Sequence, residues 1–227
     1  MKQRSKRLDA LAKWVPKSAV FIDVGCDHGW LPLSLLAQDR IAKAIAIDKK
    51  PAPLAIANQN ASRTGWTMPF FQTLQNDGLI GLDVPRGATV NIAGMGGKSI
   101  IQILSQASLT DVQLLLQPND HMHLVRAFLW ENGWGIVRSD CIEERGQFYF
   151  VMESRQGKGQ QSGSEEDKWL CPILRRTPTP AWKRWIQFRH RVLQKADLRS
   201  AGNLSGDALI EYQILRGISW LAEPRSR

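Results

Sequence analysis

From Ala19 onward, short β-rich apolar runs alternate with stretches of helical period, an order that predicts a parallel sheet with crossover helices. Strands are predicted at 19–24, 42–47, 69–74, 88–93 and 112–117, with helices near 30–38, 53–63, 98–107 and 121–132. Two more β-rich runs, 134–141 and 148–153, flank a short charged turn containing Gly146, as expected of an antiparallel hairpin at a sheet edge. The fold class is therefore α/β and Rossmann-like.

The pattern changes after residue 154. Residues 155–168, RQGKGQQSGSEEDK, carry no periodic apolar face and are expected to be a flexible linker between a domain at 1–154 and an extension at 169–227. In the extension, Trp182, Trp185, Ile186, Leu193 and Ala196 recur at helical intervals. Leu209, Ile210, Ile214, Ile218 and Leu221 do so again after a turn at 200–206, predicting a helical hairpin. Its tryptophans fit a core better than a base-stacking role.

Charge sharpens this division. The chain has 227 residues and a net charge of +9, but residues 16–154 hold 11 Lys/Arg against 13 Asp/Glu. Residues 1–15 hold 5 against 1, and residues 169–227 hold 11 against 4. A near-neutral domain with basic ends suits an RNA partner, and Lys183, Arg184, Arg191, Lys195 and Arg199 fall largely off the apolar stripe of the first tail helix. A solvated face is the plainer reading of those charges. With no apolar run near the roughly 20 residues that span a bilayer, the expected setting is cytoplasmic, away from membranes, with no obligate protein partner evident. Three scattered cysteines fit reduced thiols, and no metal is expected, because Cys26 and His28 have no second ligand pair.

Candidate chemistry concentrates where strands end. The first strand runs into VFIDVGCDHG, residues 20–29, and a helix pattern follows at once. Gly25 allows close backbone approach to a ligand, while Asp23 and Asp27 place acceptors beside the opening. Phosphate sites need bare amides, so two carboxylates favour a cationic ligand. S-adenosylmethionine, a sulfonium with an ammonium and a ribose diol, is one. The second strand ends in Asp48, suited to ribose hydroxyls, and the third is followed by Asn76-Asp77-Gly78, where Asp77 suits an adenine amino group. Either acid alone could be a helix cap or a loop residue. The fourth strand ends in NIAGMGG and the fifth in LLLQPN. The first of these replaces the D/N-P-P-aromatic sequence usual in exocyclic-amine methyltransferases.

Asp23-x-Gly25-x-Asp27-His28, Ile92-Ala-Gly-Met-Gly-Gly97 and Leu116-Gln-Pro-Asn119 together resemble the TrmK-type tRNA (adenine-N1)-methyltransferases, and the likeness runs from residue 6 to residue 153. It implies a class I methyltransferase sheet, S-adenosylmethionine as donor with S-adenosylhomocysteine as product, and an adenine in the D-arm region of tRNA as acceptor. The cofactor side then comprises Asp23, Gly25, Cys26, Asp27, His28, Asp48, Asn76, Asp77, Gly78 and Ala93. The substrate side comprises Gly94, Met95 and Asn119, with Asn119 either bonding the base edge or capping the next helix. Asp48 sits where a longer glutamate is also found, Trp30 where a smaller aromatic is expected, and the tail is short for the family. Adenine N1 already owns an in-plane lone pair, so positioning rather than a general base should dominate, once the base is met unpaired. Three alternatives stay open: a methyltransferase of this fold acting on an exocyclic amine or a small molecule, a nicotinamide-dependent oxidoreductase, and a non-catalytic RNA-binding protein.

Overall fold

The computed structural model describes residues 5–17 and 19–221. Lys2, Arg4 and residues 222–227, counted above among the basic ends and the tail, lie outside the described residues. The chain order is α1 (Lys6–Trp14), β1 (Ala19–Val24), α2 (Trp30–Leu36), β2 (Ile41–Asp48), α3 (Pro51–Arg63), β3 (Phe71–Gln75), β4 (Thr89–Met95), α4 (Gly97–Ser105) and β5 (Gln113–Pro118). There follow α5 (Met122–Glu131), β6 (Trp134–Glu144), β7 (Gln147–Gln156), α6 (Glu165–Leu170), α7 (Pro172–Arg176), α8 (Pro180–Arg199) and α9 (Gly206–Arg216).

Seven strands form one sheet in the order β3-β2-β1-β4-β5-β7-β6, parallel except for β7, which runs antiparallel to β5 and β6. The expected α/β class and edge hairpin are both present. Each central strand is buried on both faces: β5 has no exposed residue, and its continuous Leu114-Leu115-Leu116 run is what a covered parallel strand requires. Ile22, Val24, Val90, Ile92, Leu114 and Leu116 pack on Ile100, Val125 and Leu129 of α4 and α5. Phe21, Ala44, Ala46 and Leu115 pack on Leu11, Leu35 and Leu54 of α1 to α3. Truncating one of these buried leucines to alanine costs about 2–5 kcal/mol.

A third apolar cluster joins the tail to the sheet. Cys141 and Phe150 of the hairpin pack with Leu170, Leu174, Trp182, Trp185, Ile186, Leu193 and Leu215. The expected hairpin is α8 with α9, tied by the Arg189 guanidinium donating to both carboxylate oxygens of Glu211 at 2.8 and 2.5 Å. Two short helices precede it. Arg126 of α5, fully buried, donates through Nη1 to the carbonyls of Lys168 and Trp169, the latter at 3.1 Å.

The stretch expected as a flexible linker is bonded to the sheet edge and continues into a helix. Gln160 exchanges both backbone hydrogen bonds with Ile136, at 2.8 and 2.9 Å, and its carbonyl also accepts from Trp130 Nε1. Gly135 and Gly159 permit the approach: a Cβ on Gly135 would lie 1.9 Å from the Lys158 carbonyl oxygen. Ser164 and Asp167 then form a reciprocal capping box that starts α6. These ties are backbone bonds and cap bonds, for which polar, Gly-rich composition gives no apolar signal.

Candidate functional site

The carboxyl ends of β1 to β5 lie side by side and divide into two halves. In the first, β1 ends at a turn in which Gly25 (φ +73°) and Asp27 (φ +50°) adopt left-handed backbone, and Gly29 (φ +70°) precedes α2. The amides of Gly25 and Cys26 both donate to the Ile47 carbonyl, at 2.8 and 3.0 Å, pinning this turn against β2. A Cβ on Gly25 would stand 2.1 Å from the Met95 methyl, so the glycine lets the Met95 side chain of β4 pack against the β1 turn.

Asp23 is buried, and Asn91 Nδ2, its neighbour on β4, donates to its Oδ1 at 2.7 Å. Burial pushes its carboxyl up to about 6. The Asn91 bond opposes this, and the negative charges of Asp27 and Asp48 add to it. Three carboxylates thus converge closely enough to repel one another. The Asn91 Oδ1 beside them is buried without a donor. Such a donor-poor, acid-rich mouth fits a cation.

The remaining first-half residues divide by what their side chains are free to do. Asp48 Oδ1 accepts from the Lys50 amide at 3.0 Å, leaving Oδ2 available. Asp77 is paired with Lys49 Nζ at 2.7 Å, both half exposed or more. Asn76 spends its Nδ2 on the carbonyls of Gly78 and Ile80, both at 3.1 Å, so it builds the turn rather than offering a donor. Gly78 (φ +64°) closes against Ile103 of α4. The Cys26 thiol packs in the core, and burial, then Asp23 and Asp48, push it up to about 12. His28 lies half buried with Nδ1 3.4 Å from Asp27, and its carbonyl accepts from Asn60.

The second half is made of amides and glycines. Gly94 (φ +77°) is exposed, Ala93 and Met95 are half buried, and Ala93 pairs in register with Gln117 of β5. Asn119 does not cap α5; that position belongs to His121. Instead its amide nitrogen bonds the Met95 carbonyl at 2.8 Å and its Nδ2 bonds the Gly94 carbonyl at 2.8 Å. Gly97 must be glycine because a Cβ there would lie 2.7 Å from the Asp120 carbonyl oxygen. Its amide donates to Asp120 Oδ1 at 2.7 Å, and the His121 bond first, then this one, hold Asp120 below the usual carboxylate range. His123 is stacked on Trp169 with centroids 3.8 Å apart.

Residues the sequence reading passed over complete this half. Arg7 of α1 reaches across to Gln117, and its Cζ lies 5.1 Å from the Tyr149 ring centroid. Beyond Asn119 opens a cleft of about 360 Å³, walled by Phe148, Trp169 and Trp185 and edged by Arg189 and Glu211. On the outer face of α8, Lys183, Lys195 and Arg199 are exposed with no partner among the described residues, whereas Arg184 pairs with Glu143 at 2.6 Å. All three cysteines are free and buried. Among the described residues no helix is long and apolar enough to cross a membrane.

Comparison with known proteins agrees with this layout. A family model described as a methyltransferase domain matches residues 4–152. A tRNA (adenine(22)-N(1))-methyltransferase of Bacillus subtilis is 31% identical over 156 residues, covering 67% of this chain and 65% of that enzyme, just under two thirds of its length. A candidate tRNA methyltransferase of Mycoplasma pneumoniae is 33% identical over 172 residues, covering 74% of this chain and 80% of that protein. A Streptococcus pneumoniae candidate tRNA (m1A22) methyltransferase, solved in complex with S-adenosyl-L-methionine, superposes with a TM-score of 0.82 at 29% identity, covering 94% of this chain and 98% of that one.

Proposed function

The chain belongs to the TrmK-type family of tRNA methyltransferases, and from that premise we propose that it transfers a methyl group from S-adenosylmethionine to N1 of an adenine in the D-arm region of tRNA. One observation carries the cofactor half of this reading: the acids at the ends of β1 and β2 meet around a glycine turn, and none of them pairs with a lysine or arginine among the described residues. When bound, S-adenosylmethionine supplies an electrophilic methyl group. Asp23 and Asp27 offer acceptors to its ammonium, Asp48 Oδ2 accepts from the ribose diol, and Asp77 accepts from the adenine amine once Lys49 yields. Gly25, Cys26, His28, Asn76, Gly78 and Ala93 contribute backbone and shape rather than charge.

On the acceptor side, no base is required, because N1 attacks with a lone pair it already holds. Gly94 offers a carbonyl with one lone pair left over, Met95 a thioether wall, and Asn119 the second hydrogen of its Nδ2. Residues 1–154 form the methyltransferase domain and 169–227 the tRNA-binding extension, joined by 155–168. Lys183, Lys195 and Arg199 are its phosphate-facing cations, and the cytoplasm, where tRNA is found, is its setting. The test is methyl transfer from labelled S-adenosylmethionine to unmodified tRNA transcripts, followed by primer extension. A reverse-transcription stop at an adenine of the D-arm region is expected, since a methyl on N1 blocks pairing. Label without a stop would move the reaction to an exocyclic amine.

A further inference from the structure

Asn119 is held by a chain of hydrogen bonds whose polarity is fixed at both ends. Arg7 Nη1 donates to Gln117 Oε1, Gln117 Nε2 donates to Asn119 Oδ1 at 3.0 Å, and Asn119 Nδ2 donates to the Gly94 carbonyl at 2.8 Å. A guanidinium has only donors and a backbone carbonyl only accepts. The two amides between them therefore have a single arrangement that satisfies every contact. Gln117 is fully buried, the penultimate residue of β5, and has no room to exchange its ends with solvent. Arg7 has no carboxylate partner for its guanidinium among the described residues, so its donors are directed at this chain and at the face of Tyr149.

We propose that Arg7 and Gln117 are positioning residues that set the orientation of the Asn119 amide, and with it the second Nδ2 hydrogen that Asn119 presents to the target base. The proposal rests on the methyl-transfer reading for its activity readout alone. Acting through two neutral amides matters chemically. The adenine ring becomes positive as N1 takes the methyl, and a guanidinium in contact with it would oppose that charge. Relayed through Gln117 and Asn119, Arg7 imposes direction with two neutral amides between its guanidinium and the base. This also accounts for the unusual reach of α1, whose second residue ends at Gly94: a Cβ there would lie 3.3 Å from Arg7 Nη1.

Two variants separate orientation from packing. Gln117→Glu keeps the shape and strengthens the pairing with Arg7, but cannot donate to Asn119. Arg7→Met removes the donor-only end. Both are expected to lower the single-turnover methyl-transfer rate by about tenfold or more, the scale of a misplaced reacting group. Melting temperature and the dissociation constants for S-adenosylmethionine and tRNA should change little. Arg7→Lys, still donor-only, should recover most of the rate. Selective ¹⁵N-asparagine labelling gives a readout independent of activity: the Asn119 side-chain amide signal, identified by its loss in Asn119→Asp, should move in both variants. An unmoved signal, or a rate within twofold of wild type in Gln117→Glu, overturns the relay. So does an Arg7→Met variant that loses tRNA affinity while keeping its rate at saturating tRNA, because Arg7 then grips phosphate. If the unaltered protein transfers no methyl group, the proposed function fails, and the Asn119 signal still decides the relay.

Discussion

The two halves of the site are built on opposite principles. At the ends of β1 to β3 the chain gathers carboxylates and leaves them short of donors: Asp23 raised by burial, Asp27 largely exposed, Asp48 with one oxygen free. At the ends of β4 and β5 nearly every polar group is spent on the next, from Arg7 through Gln117 and Asn119 to Gly94, and from Gly97 to Asp120 and His121. Under the proposed function, the first half would bind by unpaired charge, which tolerates small displacements. The other works by direction, and a hydrogen bond loses strength steeply with angle. A flexible cationic cofactor and a base that must be aimed at one methyl group call for these two kinds of site.

If the halves are separable, each can be damaged alone. The largest effect is expected from Gly97→Ala. Its Cβ meets the Asp120 and His121 carbonyl oxygens at 2.7 and 3.0 Å, so backbone must shift. Methyl transfer should fall about 100-fold while cofactor affinity, by calorimetry, stays within about threefold. Equal losses in both would merge the halves into one.

Asp23→Asn tests the charged half. With a folded pKa of about 6 against 3.8, the native state binds the proton more tightly than the unfolded chain. Ionised Asp23 therefore costs stability, by about 3 kcal/mol above pH 6, and the cost is relieved as pH falls from 6 toward 4. Unliganded Asp23→Asn should melt above the unaltered protein at pH 7, with the gap closing by pH 4. Cofactor affinity runs the other way: it should rise by up to about tenfold per pH unit toward pH 6 in the unaltered protein and stay flat in the variant.

Asp48→Ala should weaken cofactor binding by about tenfold, the worth of a charge-assisted hydrogen bond, and leave tRNA binding unchanged in a filter-binding assay. The smallest effect belongs to Lys49→Ala. Its pair with Asp77 is open to solvent, so releasing Asp77 should raise cofactor affinity by no more than about threefold. A larger gain would mean that Lys49 gates the cofactor site.

How much of this was legible follows from the range of each signal. Strand and helix periods are local, which is why β1, β4, β5 and the edge hairpin lie within a few residues of their expected positions. Asp23 and Asp48 stood out because each directly follows an apolar run. Helix α3 begins at Pro51 rather than 53, since proline is compatible with a first helical turn and the apolar stripe starts later. Asn119 was ambiguous in sequence, since the residue after a proline and before a helix is often a cap. The fold removes the capping reading, since His121 takes that position and Asn119 Nδ2 reaches the Gly94 carbonyl instead.

What the sequence determined by itself is the alternation of strands and helices, the edge hairpin and the acids at the strand ends, because each depends on spacing of a few residues along the chain; that Asp23, Asp27 and Asp48 meet was left to the folded sheet. Tertiary structure alone decided that Arg7 meets Gln117 across 110 residues, that the polar stretch 155–168 bonds to the sheet edge, and that the tail shares a core with Cys141 and Phe150. Those outcomes rest on which backbone carbonyls and apolar faces remain uncovered once the sheet has formed. That is a property of the packed chain, with no period for a sequence to display.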